Sequence, residues 1–166
     1  TDRRTWRVSA PPGEPNPSMP IYATAMWRLG MDIATAEENR VDGTAMSGTP
    51  QNDILKEYLS GGTYAFPAGQ SRRMIADMVS YTVNNVPKWN PINICSYHLQ
   101  EAGATPVQEI AYSMSNAIAV LDAVKSRGQV SDEDFPKVFG RISFFVKAGI
   151  RFVEEHAKLR AMGQIW

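Results

Sequence analysis

The polar side chains around residue 98 are the part of this sequence best suited to chemistry. They lie in the segment PINICSYHLQEAGATP (91–106), where Tyr97, His98 and Glu101 directly follow an apolar run. A neutral imidazole can donate a hydrogen bond to a carbonyl oxygen, and a neighbouring phenol or carboxylate can polarise the same group or carry a proton. A buried histidine with both ring nitrogens hydrogen-bonded is a structural alternative of similar weight. The cluster is therefore a candidate catalytic site for a carbonyl substrate.

The single cysteine of the chain, Cys95, lies in the same segment. We expect a small buried side chain there rather than a reactive thiol. One cysteine cannot form an internal disulfide, which fits the reducing cytoplasm, and we predict a cytoplasmic protein. One cysteine and two histidines also argue against a structural zinc cluster. We therefore predict no metal site.

Composition excludes several classes of protein. The chain has 166 residues, which suits one domain, and it is 43% hydrophobic and 20% charged, as globular chains are. Seventeen basic residues balance seventeen acidic ones, so no net charge attracts nucleic acid or an anionic membrane. No apolar run approaches the roughly 20 residues that span a bilayer. We expect neither nucleic acid nor a membrane among the partners.

The polar cluster needs a scaffold, and the chain alternates between strand-like and helix-like segments. Strands are predicted over residues 19–23, 44–51, 90–98 and 141–146. Helices are predicted over residues 24–39, 53–60, 71–86, about 105–124, and from about 150 to 166. This order predicts parallel strands joined by helical crossovers. In such folds, sites collect where strands end and helices begin, and Thr49 and Gln51 reach the same edge as the residue-98 cluster.

We therefore predict an α/β fold, a truncated TIM-type (β/α) barrel of about four βα units. A closed barrel of eight units usually needs about 250 residues, so this chain supplies about half of one. The half-barrel domain would occupy residues 19–166, after an irregular N-terminal arm formed by residues 1–18. An open sheet edge and an uncovered apolar face seldom stay exposed, which predicts a homodimer.

Several local signals predict where helices begin and end. Asn52 is expected to cap a short helix that Gly61 ends. Ser71 is expected to open the next helix and Pro87 to stop it. Thr105 begins a capping box with proline in the first helical position. The long helix after it has one predicted apolar face, formed by Val107, Ile110, Ala111, Met114, Ile118, Leu121 and Val124.

Three stretches resemble one known family in the same order: GTPQNDILKEYLSGGTY, VPKWNPINICSYHLQEAGATPVQEIAY and GRISFFVKAGIRFVEEHAKLRA. They are similar to the catalytic barrel of the adenosylcobalamin-dependent acyl-CoA mutases, and CSYHLQEAGATP is most similar to the ethylmalonyl-CoA branch. The resemblance covers residues 19–166. It implies an isomerase in which an adenosyl radical takes a substrate hydrogen and the thioester group migrates to the neighbouring carbon.

The resemblance also implies roles for individual residues. His98 matches the histidine that hydrogen-bonds the thioester carbonyl, and Tyr97 matches a pocket residue beside it. The positions that match the family's acyl pocket and coenzyme A site are Thr49, Gln51, Lys88, Asn90, Arg141 and Ser143. Small polar residues on the strands would leave room for a pantetheine arm. The implied ligand is an acyl-CoA or a similar thioester.

The chain departs from the family pattern at several positions. The family has an arginine ten residues after the glutamine to hold a substrate carboxylate, and here that position is Gly61. The family's cobalamin module carries an Asp-x-His-x-x-Gly loop, and neither His98 nor His156 has an aspartate two residues earlier. We expect no cobalamin to bind this chain alone, so adenosylcobalamin is implied only by the resemblance, through a cobalamin-binding partner subunit.

Three functions remain open at this point. The chain is a piece of a mutase that needs partner chains for isomerase activity, or a shortened mutase scaffold that performs cobalamin-independent chemistry on a carbonyl or acyl substrate. The third possibility is a non-catalytic interaction module. Departures at Arg28, Asp32, Pro50 and Gly61 favour the second and third functions, whereas the intact SYHLQEAG motif argues against simple decay.

Overall fold

The computed structural model describes residues 18–19 and 23–166. The strands are β1 (Ser18–Met19), β2 (Ser47–Pro50), β3 (Lys88–Trp89), β4 (Ile92–Cys95) and β5 (Ile142–Phe145). The helices are α1 (Ala25–Glu38), α2 (Ile54–Lys56), α3 (Ala68–Asn85), α4 (Tyr97–Glu101), α5 (Pro106–Arg127), α6 (Phe135–Phe139) and α7 (Phe152–Ile165). A π-helical turn, Glu57–Gly61, extends α2. Most of the predicted arm and of the predicted strand over 19–23 lies outside the described residues.

Every strand pair in the described residues is parallel. One sheet has the order β1–β2–β3, and a second contains β4 and β5. The strands β3 and β4 follow each other directly along the chain, so the segment 88–95 pairs first with β2 and then with β5. Pro91 interrupts this segment because proline has no N–H to donate to a ladder. The predicted parallel α/β arrangement is confirmed, and it is consistent with part of a barrel.

The main core lies around β4, which is buried between α3 and α5. Ile92 and Ile94 of β4 are fully buried, and Val79 and Ala117 cover them from the two helices. A second, smaller core surrounds Trp89, next to α1 and α3. These cores hold the carboxyl ends of β2 and β4 side by side, where the candidate site was predicted.

Gly48 allows β2 and β3 to approach closely at the second core. A Cβ atom on this residue would lie 2.5 Å from the Trp89 ring. The register of the two strands pairs Gly48 with Trp89, so the indole covers the glycine directly. A side chain at residue 48 would therefore push Trp89 out of the core.

The predictions for the start of the short helix α2 at Asn52 and for its end at Gly61 are both wrong. Its N-cap is Asp53, whose carboxylate accepts from the backbone N–H of Lys56 at 3.3 Å, whereas the Asn52 amide donates to Met78 Sδ at 3.2 Å. The left-handed residue that ends the helix is Gly62, with φ of 70°, rather than Gly61. The π-helical turn is the reason, because it uses one more residue per turn than an α-helix.

The predicted start of α3 is also wrong. The helix begins at Ala68 after Pro67, so Ser71 lies in its first turn and donates to the Phe66 carbonyl at 3.3 Å. Its end at Asn85, shortly before Pro87, agrees with the prediction. A prolyl ring disfavours the helical conformation of the residue before it, which explains this stop.

The capping box of α5 is confirmed, but its predicted apolar face is wrong as far as Ile118. Thr105 and Gln108 make both reciprocal capping hydrogen bonds. Val107 is 76% exposed and Ile118 is 56% exposed, whereas Leu121 and Val124 are buried as expected. The inner side of the first turns carries polar residues instead: Glu109, Ser113 and Asn116. These side chains belong to buried polar networks that sequence periodicity does not reveal.

The remaining differences concern the lengths of elements near the site. The strand predicted over 90–98 stops at Cys95, and Tyr97 and His98 begin the short helix α4. The prediction that Tyr97 and Asn90 share a strand is therefore wrong. The helix α6 was not predicted. Within the described part of the chain, no helix is both long and apolar enough to cross a bilayer.

Candidate functional site

Asp53 joins the carboxyl ends of β2 and β4. Its Oδ2 atom accepts from the backbone N–H of Cys95 at 3.1 Å, and its Oδ1 atom accepts from Asn116 Nδ2 at 2.7 Å and from Lys56 N at 3.3 Å. Burial raises the pKa of the Asp53 carboxyl, and the three hydrogen bonds oppose this. Because Asp53 follows β2 by three residues and Cys95 ends β4, this carboxylate determines how the two strand ends meet.

His98 is the second residue of α4 and lies partly buried just beyond the end of β4. The Tyr97 ring meets it edge-on, with 4.2 Å between ring centroids. Burial lowers the pKa of the His98 imidazole, and the positive charge of Lys56 lowers it further, against the opposing charges of Glu57 and Glu101. The ring is therefore neutral near pH 7, and a neutral imidazole carries one N–H donor and one acceptor nitrogen.

A buried pair of opposite charges lies beside the histidine. Lys56 and Glu57 are both buried, and Lys56 Nζ lies 3.4 Å from Glu57 Oε1. Glu57 Oε2 also accepts from the backbone N–H of Thr63 at 3.3 Å. A Cβ atom on Gly61 would overlap with this carboxylate. The Glu57 carboxylate thus fills the space beside Gly61, where the family resemblance implies an arginine.

Cys95 is buried, as predicted. Its Sγ atom donates to Asn93 Oδ1 at 3.0 Å, and burial raises the pKa of the thiol to about 12. The thiolate is the reactive form of cysteine, so this side chain stays protonated and inert at neutral pH.

Two of the predicted pocket residues lie in contact. Asn90 directly follows β3, and its Nδ2 atom donates to Thr49 Oγ1 of β2 at 3.0 Å. Gln51 comes directly after β2 and is partly buried. These residues line the strand ends that Asp53 holds together. Thr49 and Asn90 thus form a polar contact near the carboxyl end of β2, and Gln51 follows directly in the sequence.

The three residues predicted to contact coenzyme A lie farther toward the amino ends of their strands. Ser143 is on β5 and accepts from Asn93 Nδ2 at 2.9 Å. Arg141 precedes β5 and donates to the Trp89 carbonyl at 3.4 Å, whereas Lys88 begins β3 and is exposed. His98 lies beyond the opposite end of the same strand segment. The predicted sites are therefore spread along the strands rather than gathered in one cluster.

Glu101 ends α4 and is exposed, and its carboxylate forms an ion pair with Lys147 on the loop after β5. The ion pair directs the carboxylate toward the loop.

Sequence reasoning missed a buried network under α4. Glu109 and Lys158 are an ion pair at 2.7 Å, with side chains that are both 1% exposed. Helical spacing does indicate that Glu109 lies on a buried face of α5. It shares that face with Ser113, Asn116, Ala117 and Val120. Three of these residues are polar, so a search for apolar periodicity does not select this face.

The comparisons with known proteins agree with this architecture. The sequence profile of the methylmalonyl-CoA mutase family matches residues 11–166. This chain belongs to the methylmalonyl-CoA mutase family. The predicted resemblance to acyl-CoA mutases is thus confirmed, and it extends over both sheets and all helices described above.

Individual relatives support the same assignment. The chain is 53% identical over 165 residues to ethylmalonyl-CoA mutase of Methylorubrum extorquens, which covers 99% of this chain and 24% of that protein. It is 54% identical over 165 residues to ethylmalonyl-CoA mutase of Cereibacter sphaeroides, covering 99% and 25%. It is 39% identical over 145 residues to the 2-hydroxyisobutanoyl-CoA mutase large subunit of Aquincola tertiaricarbonis, covering 87% and 25%. The chain spans about a quarter of the length of these relatives.

The residues of this chain do not fit the adenosylcobalamin that the family implies. The chain has two histidines, and the residues two positions before them are Ser96 and Glu154 rather than aspartates. His156 is exposed on α7 with its ring stacked on Phe152, and His98 lies near the Lys56 charge. In residues 23–166, no three histidine, cysteine, aspartate or glutamate side chains converge on a possible metal position. No step below is derived through cobalamin.

Proposed function

We propose that the chain binds an acyl thioester of coenzyme A and that His98 donates a hydrogen bond to the thioester carbonyl. The observation that carries this proposal is the position of a neutral, partly buried His98 directly beyond the carboxyl end of β4. Parallel α/β folds bind their substrates at this edge. A neutral N–H polarises the carbonyl oxygen and stabilises the negative charge that it gains during reaction.

Neighbouring residues support a pocket for the acyl group. The Asn90–Thr49 hydrogen bond and Gln51 offer polar groups at the end of β2, and Tyr97 covers one side of the imidazole. Coenzyme A would extend past Ser143 toward the amino ends of the strands. There the exposed Lys88 and the Arg141 guanidinium are suited to phosphate oxygens.

We propose further that the natural acyl group has no free carboxylate. A buried carboxylate needs a cation, and Gly61 offers none. The nearby Lys56 ammonium is already paired with the Glu57 carboxylate, which fills the space beside Gly61. Membership of the family does not decide this point, since the relatives include an ethylmalonyl-CoA mutase and a 2-hydroxyisobutanoyl-CoA mutase.

Isomerase activity would need more than this chain. The chain spans about a quarter of its relatives' length, and one relative is named as a large subunit. We propose that further barrel strands and a cobalamin-binding module outside these 166 residues complete the catalytic unit, with a cobalamin-binding partner subunit or a second copy of the half-barrel as possible sources. Within such a unit, this chain would orient and polarise the thioester.

The test compares a thioester with the same molecule lacking the carbonyl. Calorimetry measures the affinity of the protein for butyryl-CoA and for the thioether butyl-CoA. The thioester should bind several-fold more tightly, as expected for one hydrogen bond of about 0.5–1.5 kcal/mol. The preference should vanish in His98→Ala and persist in His156→Ala, which removes the exposed histidine of α7. Equal affinity of the unmutated protein for both compounds would refute the proposed role of His98.

Cobalamin-independent chemistry on a carbonyl substrate is the second candidate, and the contact between a neutral His98 and Tyr97 favours it. His98, Tyr97 and Glu101 would then act as acid–base groups, although Glu101 would first have to leave Lys147. Incubation of butyryl-CoA with the protein in deuterium oxide distinguishes the two functions. A general base would exchange the proton next to the carbonyl, whereas a polarising hydrogen bond alone would not. An interaction module would bind neither compound.

A further inference from the structure

A single buried ammonium group connects four segments of the chain. Lys158 Nζ on α7 donates to Glu109 Oε2 at 2.7 Å, to Gln100 Oε1 at 3.0 Å and to the Lys147 carbonyl at 2.5 Å, and it pairs with Glu155. The whole residue is 4% exposed. These partners lie on α5, on α4, on the loop after β5 and on α7 itself.

The network holds α4 at both ends. Before the helix, Ser96 Oγ donates to Glu109 Oε1 at 3.0 Å. Within the helix, Gln100 accepts from Lys158 and also donates to Glu155 Oε1 at 3.1 Å. His98 lies midway between these two tethers, two residues from each.

These contacts are hydrogen bonds, which require particular directions between their atoms, whereas apolar packing does not. Desolvation lowers the pKa of Lys158, but hydrogen bonds and charges from Glu109 and Glu155 outweigh it, so the pKa lies above its ordinary value. The same lysine lowers the pKa of Glu155. Lys158 and Glu155 therefore both stay charged over the physiological range. A buried ion pair adds little net stability compared with apolar residues of similar size, but it specifies one arrangement of its partners.

We propose that the Glu109–Lys158 ion pair and its links to Ser96 and Gln100 are positioning residues that orient His98 toward the bound thioester. The network contacts Ser96 and Gln100 on either side of His98, so it acts through the helix. This role rests on the proposed function of His98.

The test releases α4 while leaving the ion pair intact. Gln100→Leu removes the second tether, and Ser96→Ala removes the first; the Ser96 side chain makes no capping bond that this change would break. The matched control is Gln129→Leu, an exposed glutamine after α5. The full chain is titrated by NMR of imidazole nitrogens, in which His98 and the exposed His156 are the two histidines observed, and butyryl-CoA binding is measured as well.

In the Ser96→Ala/Gln100→Leu variant, a released α4 should expose His98, so that its pKa rises toward the ordinary value near 6.5 while that of His156 stays unchanged. Affinity for butyryl-CoA should fall about threefold or more, and the Gln129→Leu control should match the unmutated protein. Gln100→Leu alone should show a smaller rise in the His98 pKa and a smaller loss of affinity. This single variant tests the positioning role if the double variant does not fold.

The two hypotheses fail in different ways. An unchanged His98 titration in the folded variants would overturn the positioning role, whatever the affinity. If the unmutated protein does not distinguish butyryl-CoA from butyl-CoA, the proposed function fails, whereas the NMR titration still reports whether the network orients the imidazole.

Discussion

The Asp53 carboxylate accepts the backbone N–H of Cys95 at 3.1 Å across 42 residues of sequence. This contact joins the end of β2 to the end of β4, and Asn116 of α5 and the backbone of α2 donate to the same carboxylate. Four elements thus meet at one buried side chain, and one of its partners, Cys95, lies three residues before His98 in the sequence. The consequences can be measured.

Asp53→Ala should lower the free energy of unfolding by about 3 kcal/mol, because each buried donor left without an acceptor costs about 1–3 kcal/mol. Urea denaturation measures the loss. The control is Asp122→Asn, a change on the exposed side of α5, which should leave stability nearly unchanged. Equal stability of Asp53→Ala and the unmutated protein would contradict the joining role of Asp53.

Gly61→Ala should lower the free energy of unfolding by about 1–2 kcal/mol, because the new methyl group overlaps with the buried Glu57 carboxylate. The cost does not come from backbone strain, since the left-handed glycine here is Gly62. Gly69→Ala in the first turns of α3 is the control, because its Cβ would meet open space. If Gly61→Ala is as stable as Gly69→Ala, the Glu57 carboxylate is free to move away.

The unmutated protein should bind butyryl-CoA more tightly than ethylmalonyl-CoA, because Gly61 supplies no cation and the nearby Lys56 ammonium is already paired with Glu57. Calorimetry with both thioesters measures the difference. In Gly61→Arg, the guanidinium is close enough to pair with Glu57, so the gain for ethylmalonyl-CoA should fall below the roughly 1.5–3 kcal/mol of a free charge-assisted contact. Clearly tighter binding of ethylmalonyl-CoA to the unmutated protein would disprove a neutral acyl ligand.

Stability should decrease as pH falls below about 6.5, in part through His98. The folded-state pKa of His98 lies below its unfolded value, so the unfolded chain binds the proton first. The contribution is complete above the unfolded pKa and is lost as pH falls through the folded pKa. Urea denaturation at about pH 7.5 and about pH 5.5 should show a smaller difference for His98→Gln than for His156→Gln. Identical differences would show that His98 does not contribute to the pH dependence of stability.

Lys158→Met should lower the free energy of unfolding by about 3–5 kcal/mol, because Glu109 and Glu155 remain buried without their cation. Glu109→Gln/Lys158→Met should recover part of this loss, since one of the two carboxylates is then neutral. Thermal and urea denaturation measure both variants, with Lys137→Met on the exposed surface of α6 as the matched control. A Lys158→Met protein as stable as the control would show that the network contributes nothing to folding.

Self-association is expected from the apolar side chains at the start of α7 and on α5. Ile150 is fully exposed, and Phe152, Val153 and Val107 are each more than three-quarters exposed. Surfaces of this kind are usually covered. Light scattering at micromolar concentration should report a dimer, and Phe152→Lys should weaken it. A stable monomer would contradict this expectation.

Much of the fold followed from signals that act within a few residues. The alternation of strands and helices predicted parallel α/β structure, and Thr105 with Gln108 predicted the start of α5 correctly, because a capping box joins residues only three apart. The motif around His98 predicted the family. Its position at a strand end was also predicted, although the strand stops at Cys95 and Tyr97 and His98 lie on a helix.

Other features depended on the packed chain. The choice between Asn52 and Asp53 as the cap was decided by Cys95 and Asn116, which lie 42 and 63 residues from Asp53. The polar inner face of α5 exists because Lys158, 49 residues from Glu109, supplies a cation there. Periodicity identifies which residues share a face of a helix, but only the partners brought by folding decide which face is buried. A buried polar group is stable where its hydrogen bonds are satisfied, and that condition is met in three dimensions rather than along the sequence.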